Sequence, residues 1–243
     1  MTSASDSAIR REELCAGLAQ VEKRIDAACR AAGRSRTEVQ LIAVTKNFPG
    51  SDIELLADLG VTDIGENRDQ EASAKIAALP RDVRERLQVH FIGQLQSNKA
   101  HSLAAYVDTV HSIDREKLVS ALDRAAAAAG REVGVLVQVR LGGDQAGAGR
   151  GGIPPEGVAE LANSVVAARH LRLQGVMAVA PVGADPGVAF AELARVARGV
   201  RADHPGATWV SAGMSADLEA AVENGATHLR VGSAILGSRP PVG

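Results

Sequence analysis

The stretch VQLIAVTK, residues Val39 to Lys46, is a short apolar run that ends on a lysine. It is rich in β-branched residues, and the turn signal NFPG at residues 47–50 closes it. Brevity, β-branching and a Pro-Gly turn together predict a buried strand rather than a helix. In a parallel sheet or barrel, ligands bind at the C-terminal tips of the strands. Lys46 is therefore a candidate for amine chemistry, which arginine cannot perform.

Composition and charge argue against several classes of function. The 243 residues are 46% hydrophobic and 23% charged, and the formal net charge of -2 gives no basic field that would favour nucleic acid. No apolar run approaches the ~20 residues of a membrane helix, and the start MTSASDSAIRREE lacks the apolar core of a signal peptide. The only cysteines, Cys15 and Cys29, imply no disulfide framework. These features predict a cytoplasmic protein.

Beyond the first strand, short apolar runs alternate with helical patterns, and residues 6–32 form an amphipathic pattern typical of a long helix. The predicted strands are Val39–Lys46, Val61–Glu66, Leu87–Ile92, Tyr106–His111, Val133–Leu141, Leu171–Val179, Thr208–Val210 and His228–Val231. Strict βα alternation requires a parallel sheet. Eight such units without a linker favour an α/β fold in one domain, residues 1–243: a (β/α)8 TIM barrel with an extra N-terminal helix. An open doubly wound sheet, which usually has fewer strands, is the alternative.

Several helix starts are also predicted from capping residues. Ser51-Asp52, Asp114 and Ser215 precede helical patterns and have the short polar side chains that cap helices. Pro186 is predicted to open another helix, because proline is tolerated at the first helical position.

Polar residues gather where the predicted strands end, whereas the strands themselves are apolar. In a barrel these ends share one mouth, where functional groups collect. The residues at the eight ends are Lys46, Gly65-Glu66-Asn67, His90 with Gly93-Gln94, His111-Ser112, Arg140, Met177-Ala178, Ser211 to Ser215, and Arg230 to Ser233. The mouth is therefore the predicted functional site.

Two of these strand ends predict a phosphate site. Gly213-Met214-Ser215 is expected to start a helix after strand seven, and Gly232-Ser233 after strand eight. Helix N-termini present free N–H groups, and glycine lets an anion approach the backbone. The loops after strands seven and eight are the recurrent phosphate cradle of this barrel, although each serine could be an ordinary N-cap. Arg230 could support a ring nitrogen or a carboxylate, or pair with an acidic residue.

Other motifs do not indicate a site. A literal G-x-G-x-x-G at Gly147, Gly149 and Gly152 is followed at once by Pro154-Pro155 and has no acidic residue at the required distance, so a loop is predicted rather than a dinucleotide site. The histidines lack metal-ligand spacing, and no cysteine lies near them in sequence, so no metal site is predicted. The sequence contains neither G-x-S-x-G nor a P-loop.

Six stretches together resemble a known family. They are IAVTK at residues 42–46, GEN at 65–67, HFIGQLQSNK at 90–99, LQGVMA at 173–178, GMSADL at 213–218 and RVGS at 230–233. Over nearly its whole length the chain resembles the pyridoxal phosphate homeostasis proteins, of the proline synthetase co-transcribed type. The runs HFIGxLQxNK and GMSxDL are specific to that family.

The resemblance implies a barrel like the N-terminal domain of bacterial alanine racemase, with the vitamin B6 cofactor pyridoxal 5'-phosphate (PLP) bound as a Schiff base on Lys46. It implies that the phosphate lies against the turns at 213–215 and 232–233, that Arg230 lies at the pyridine nitrogen, and that Asn67 lies near the cofactor. The predicted cofactor-binding residues are Lys46, Asn67, Met177, Met214, Ser215, Arg230, Gly232 and Ser233. No catalytic or metal-binding residue is predicted.

One loop departs from the family pattern. Family members tend to carry Lys-x-Gly after strand five, where this chain has Arg150-Gly151-Gly152. The positive charge is kept, so contacts with the ring are expected to survive. A role for a second lysine amine in this loop is not expected.

The resemblance implies a PLP-binding protein that buffers or delivers the cofactor, not an enzyme. A cation at the pyridine nitrogen disfavours its protonation and weakens the ring as an electron sink, which suits a binder or a racemase-like enzyme better than a transaminase. Alanine racemase has a further β domain with a catalytic tyrosine, whereas the only tyrosine here, Tyr106, is predicted to open strand four away from the mouth. The implied partners are PLP and apo forms of PLP-dependent enzymes, without nucleic acid or membrane. Once the barrel strands and helices are assigned, no long exposed apolar segment remains, so a monomer is predicted.

Two enzymatic alternatives remain open at this point. One is a weak PLP-dependent amino-acid racemase or lyase that uses Lys46 as both anchor and base. The other is a phosphosugar-type barrel enzyme in which Lys46 forms a Schiff base with the substrate itself.

Overall fold

Eight parallel strands close into a barrel in the computed structural model, which describes residues 4–142 and 151–238. The strands are β1 (Gln40–Val44), β2 (Asp63–Glu66), β3 (Gln88–Phe91), β4 (Thr109–Ile113), β5 (Val133–Gln138), β6 (Leu171–Met177), β7 (Trp209–Ser211) and β8 (His228–Val231). Each strand pairs with the next, and β8 pairs with β1, with Ile42 opposite Arg230. This closure confirms the predicted (β/α)8 barrel and excludes the open sheet.

The helices form the outer layer. They are α1 (Ala4–Ala31), α2 (Gly50–Asp58), α3 (Asp69–Ala77), α4 (Arg81–Glu85), α5 (Ala100–Ala104), α6 (Glu116–Ala129), α7 (Val158–Ala167), α8 (Pro186–Asp203), α9 (Leu218–Glu223) and α10 (Ser233–Leu236). Short 3₁₀ turns lie at Arg36–Glu38, Ser97–Lys99 and Pro155–Gly157. None of the described helices is long and apolar enough to cross a membrane.

The predicted extra N-terminal helix is confirmed as α1, which precedes β1 and packs against the last two helices. Arg24 of α1 pairs with Glu219 of α9 at 2.8 Å, and Arg10 donates to the carbonyl of Leu236 in α10 at 3.0 Å. The helix therefore braces the part of the barrel that follows β7 and β8.

The barrel interior is partly polar. His90, His111, Ser211 and Arg230 are all buried, and a 3.0 Å hydrogen bond joins His111 of β4 to Ser211 of β7. Because β4 and β7 are not neighbours, these side chains must point into the barrel rather than toward the helices. At the N-terminal ends of β7 and β8, the rings of Trp209 and His228 stack with centroids 3.9 Å apart.

Strand four lies later in the chain than predicted. Tyr106 precedes β4, and its N–H donates to the carbonyl of Leu103 at the end of α5, at 3.0 Å. The prediction that Tyr106 opens the strand is therefore wrong, and His111 lies in the middle of the strand instead of at its end. A short apolar run does not by itself separate the end of a helix from the start of a strand.

The predicted caps of α2, α6 and α9 are also wrong. Asp52 forms an ion pair with Arg10 at 2.7 Å, and Asp114 accepts the N–H of Gly152 at 3.2 Å. Ser215 lies in a turn, and α9 starts only at Leu218. The residues at the N-cap positions of these three helices are instead Pro49, Arg115 and Asp217.

Candidate functional site

A cavity of about 380 Å³ opens at the C-terminal ends of β1 and β8. This volume falls within the range of small-molecule sites. Its lining residues lie at and after the ends of β1, β3, β7 and β8 and at both ends of α10. They are Val44, Lys46, Asn47, Phe48, Ile92, Met214, Ser215, Ala216, Arg230, Gly232, Ser233, Gly237 and Ser238. Six of the eight residues predicted to bind the cofactor thus meet in one cavity, which we call the Lys46 cavity.

Lys46 lies two residues beyond the end of β1, in a turn that α3 holds in place. The N–H of Asn47, which has a left-handed backbone with φ 66°, donates to Glu71 Oε1 at 2.6 Å. Lys75 Nζ donates to the carbonyl of Thr45 at 3.0 Å. The backbone on both sides of Lys46 is therefore fixed by side chains of the neighbouring helix.

A buried ion cluster stands behind this turn. Lys75 Nζ lies 2.8 Å from Glu66 Oε1 and 3.1 Å from Glu71 Oε1, and the Glu66 side chain is fully buried. Thr45 Oγ1 also donates to Glu66 Oε1, at 2.6 Å. Burial raises the pKa of Glu66, and the Lys75 ammonium only partly offsets this effect. Glu66 ends a strand as predicted, but it faces α3 and does not line the Lys46 cavity.

The predicted phosphate cradle differs from expectation in one of its two turns. α10 begins at Ser233 directly after Gly232, as predicted, so the first N–H groups of α10 have no partner within the helix. The turn at Gly213–Ser215 does not start a helix, and the N–H of Met214 donates to Asp217 Oδ1 at 2.6 Å. Ser215 still contributes its hydroxyl, which lies 3.3 Å from the hydroxyl of Ser233.

Gly213 shapes the first of these turns. Its φ of +89° is a conformation that L residues rarely adopt, and a Cβ there would lie 2.6 Å from the Cβ of Ala221. Only glycine lets the chain turn out of β7 this close to α9.

Arg230 is a buried cation whose side chain reaches the Lys46 cavity from inside the barrel. Nη1 donates to Ser211 Oγ at 2.6 Å and Nη2 donates to the carbonyl of Ala178 at 2.9 Å. Burial lowers the pKa of Arg230 to about 10, against the opposing effect of Asp217, so the side chain remains charged at neutral pH. These two contacts leave further guanidinium N–H groups available for a ligand.

The described lining of the Lys46 cavity contains basic but no acidic side chains. The basic residues are Lys46 and Arg230, and no aspartate or glutamate is among the described lining residues. Hydroxyls and a helix start add hydrogen-bond donors on one side. The arrangement therefore suits an anion that also carries a group reactive toward an amine.

Two predicted residues lie elsewhere. Asn67 lines a neighbouring cavity of about 530 Å³, together with Lys99 and Phe91. Met177 is buried at the end of β6 and lines neither of these two cavities. Their predicted contact with a cofactor remains a prediction.

Other strand-end residues are also separated from Lys46. Arg140 and Gly151 line a small cavity beside Pro181, while His90 and His111 lie within the barrel. Arg150 and the first part of the glycine-rich motif, Gly147 and Gly149, lie outside the described residues. In residues 4–142 and 151–238, no group of three or more His, Cys, Asp or Glu side chains could hold a metal ion.

Sequence reasoning missed the side chains that support the site. Lys75, Glu71 and Asp63 are not among the residues predicted for the site, and Asp63 lies within the predicted strand Val61–Glu66. A signal was present for Glu71 and Lys75, since their i,i+4 spacing places them on one helix face. Nothing local indicates that this face would meet Thr45 and Glu66.

The chain can now be compared with known families of (β/α)8 barrels. The model of the family "Alanine racemase, N-terminal domain" matches residues 17–240, and the chain belongs to that family. Within it, a Mycobacterium tuberculosis protein named pyridoxal phosphate homeostasis protein is 42% identical over 243 residues, covering 95% of this chain and 94% of that protein. An Escherichia coli K12 protein of the same name is 36% identical over 231 residues, covering 93% and 97%. The chain is thus a member of the pyridoxal phosphate homeostasis protein family.

A solved structure of a family member has the cofactor. The structure of PipY from Synechococcus elongatus with PLP bound has a TM-score of 0.77 and 32% sequence identity. It covers 92% of this chain and 100% of that one. The fold of this chain therefore has a counterpart in a protein whose structure holds PLP.

Proposed function

We propose that this protein binds PLP covalently through Lys46 and acts in intracellular PLP homeostasis as a carrier rather than as an enzyme. The observation that carries the proposal is the Lys46 cavity, with one amine, one buried guanidinium, paired serine hydroxyls and no acidic residue among its described lining. The names of the relatives and the PLP in PipY support it.

Each part of the cavity suits one part of the ligand. PLP, when bound, supplies an aldehyde that condenses reversibly with an amine, and Lys46 is the amine in the cavity. Ser215, Ser233 and the start of α10 would hold the phosphate. Arg230 would face the ring nitrogen and keep it unprotonated, which weakens the ring as an electron sink. A Schiff base on a single lysine can exchange with another amine by transimination, which releases the cofactor from the lysine. This property suits a protein that stores and delivers PLP.

The surroundings of Lys46 favour a carrier over a racemase. Among the described lining residues there is no carboxylate, histidine or tyrosine that could act as a second acid or base. The Tyr106 hydroxyl lies 3.3 Å from Asp69 Oδ1, and burial raises the pKa of this phenol. Tyr106 therefore does not replace the missing group.

Several further properties belong to the same proposal. We propose a monomeric, cytoplasmic protein in which residues 1–243 form one domain, and whose partners are PLP and apo forms of PLP-dependent enzymes. Size-exclusion chromatography with light scattering tests the monomer. Transfer to an apo-enzyme tests delivery: activation by the loaded carrier no faster than by the same concentration of free PLP would refute it.

Lys46→Ala is expected to abolish covalent PLP binding. The purified wild type, with added PLP, should show a visible absorption band that borohydride reduction removes, because reduction turns the imine into a stable amine. Lys99→Ala, which removes a lysine from the neighbouring cavity, is the matched control and should keep the band. A wild type without this band would refute the proposal, and amino-acid turnover that depends on Lys46 would favour the racemase alternative.

Ser233→Ala is expected to weaken PLP binding about tenfold, because it removes one hydrogen bond to a charged group. The affinity for pyridoxal, which has no phosphate, should stay unchanged. Equilibrium titration with both ligands measures the difference. Equal losses for the two ligands would mean that Ser233 does not contact the phosphate.

A further inference from the structure

A continuous hydrogen-bonded chain runs through the barrel from the start of β2 to Arg230. His90 Nε2 lies 2.9 Å from Asp63 Oδ1, and His90 Nδ1 lies 2.9 Å from His111 Nε2. His111 Nδ1 lies 3.0 Å from Ser211 Oγ, which accepts from Arg230 Nη1 at 2.6 Å. All five residues are buried.

The residues at the two ends of this hydrogen-bonded series determine which atom donates in each bond. Arg230 can only donate, and an ionised Asp63 can only accept. Burial would raise the pKa of Asp63, but hydrogen bonds from His90 and Thr62 outweigh that effect and lower it. Asp63 is therefore a carboxylate, and its Oδ2 accepts further hydrogen bonds from Gln40 and Thr62.

From these ends the proton on each bond can be assigned. Asp63 accepts from His90 Nε2–H, which leaves His90 Nδ1 to accept from His111 Nε2–H. His111 Nδ1 then accepts from the Ser211 hydroxyl, whose oxygen accepts from Arg230. In this arrangement each imidazole carries its proton on Nε2, and burial lowers the pKa of His111 well below its usual value.

The opposite direction leaves one group unsatisfied. If an additional proton resided on His90, its Nδ1–H would donate to His111 Nε2, and His111 Nδ1–H would donate to Ser211. Ser211 would then accept from both His111 and Arg230, and its own hydroxyl proton would have no acceptor among the five hydrogen-bonded residues. A buried donor without a partner is unfavourable. Only the direction from Arg230 to Asp63 satisfies every member.

We propose that this chain is a positioning device for Arg230, in which His111 directs the hydroxyl proton of Ser211 and so presents the Ser211 oxygen to the guanidinium. Arg230 is then held by two acceptors, Ser211 Oγ and the carbonyl of Ala178. The positioning does not depend on any ligand. Its consequence for a bound ring nitrogen rests on the proposed PLP function.

The first test uses the wild-type protein without PLP, so it does not depend on any variant folding. Long-range ¹H–¹⁵N NMR at neutral pH should show His90 and His111 as neutral Nε2–H tautomers, with the exposed His101 as the internal reference. An Nδ1–H tautomer or a charged ring at either position would overturn the assigned direction.

The second test measures how firmly Arg230 is held. In PLP-free Ser211→Ala, rotation of the Arg230 guanidinium should be about tenfold faster than in the wild type, because one hydrogen bond to a charged group is lost. Ser112→Ala is the matched control: Ser112 is a buried serine beside His111 whose hydroxyl has no hydrogen-bond partner among the described residues. Equal rotation in all three proteins would refute the positioning role.

The third test connects the chain to the cofactor. With ring-¹⁵N-labelled PLP bound, the pyridine nitrogen signal should move in Ser211→Ala and His111→Phe but not in Ser112→Ala. An unmoved signal would show that the chain stabilises the core without acting on the ring. If the wild type bound no PLP, the proposed function would fail, and the guanidinium rotation would still decide the positioning role.

Discussion

Replacing Lys75 with methionine is expected to destabilise the protein by about 3–5 kcal/mol at pH 7, the range for breaking a buried ion pair by removing one partner. Methionine keeps much of the length of the side chain but leaves Glu66 fully buried without its cation. The change also removes the hydrogen bond to the carbonyl of Thr45, directly before Lys46. We therefore expect weaker PLP binding as a secondary effect.

The pH dependence of this loss has a definite sign. Burial already raises the pKa of Glu66 above its ordinary value of 4.5, and without Lys75 the pKa rises further. A carboxyl with a raised folded pKa favours folding below its unfolded pKa, and this contribution is lost as the pH rises through the folded pKa. The deficit of Lys75→Met should therefore be largest at neutral pH and shrink toward pH 4.5.

Urea unfolding of the variant and the wild type at several pH values measures both effects. Lys117→Met is the matched control, since Lys117 is exposed on α6, and it should stay within about 0.5 kcal/mol of the wild type. Adding Glu66→Gln to Lys75→Met removes the buried charge and should restore part of the stability. A deficit that grows on acidification would contradict the assignment of Glu66 as the unpaired charge.

The architecture could be predicted because it depends on local patterns. His228–Val231 was predicted with the bounds that β8 has, and eight such runs leave few topologies other than a barrel. The direction of a side chain at a strand end was harder to predict. Lys46 and Glu66 both follow apolar runs, but one lines the cavity while the other faces α3. Side chains alternate between the two faces within a strand, but Lys46 lies two residues beyond the end of β1, where this alternation does not fix its direction.

The interior chain could not be predicted because its partners are distant in sequence. His111 and Ser211 are 100 residues apart, and His90 and Asp63 are 27 apart. A weak signal did exist: His90, His111 and Arg230 are polar residues within otherwise apolar strands, where a charged or polar group requires a partner. The sequence could show that such partners must exist, but only the closed barrel shows which residues they are.

Gly93→Ala is expected to destabilise the protein by about 3 kcal/mol, at the upper end of the usual range for overpacking. Gly93 follows β3 and passes the backbone of Asn67, which follows β2. A Cβ at Gly93 would lie 2.0 Å from the carbonyl oxygen of Asn67 and 2.8 Å from its carbonyl carbon. Both partners of the clash are backbone, so no side chain can rotate away to relieve it.

The same clash should also weaken PLP binding if Asn67 contributes to the proposed PLP site. Separating the turns that hold Gly93 and Asn67 would displace the residues next to Glu66, whose cluster fixes the Lys46 turn. Gly199→Ala is the control: Gly199 is exposed in α8, a Cβ there meets no atom within 4 Å, and alanine should stabilise the helix by about 0.5–1 kcal/mol. Thermal unfolding and PLP titration of both variants measure stability and binding separately. A Gly93→Ala protein as stable as Gly199→Ala would mean that the two turns can separate freely, and the site would then not depend on their close packing.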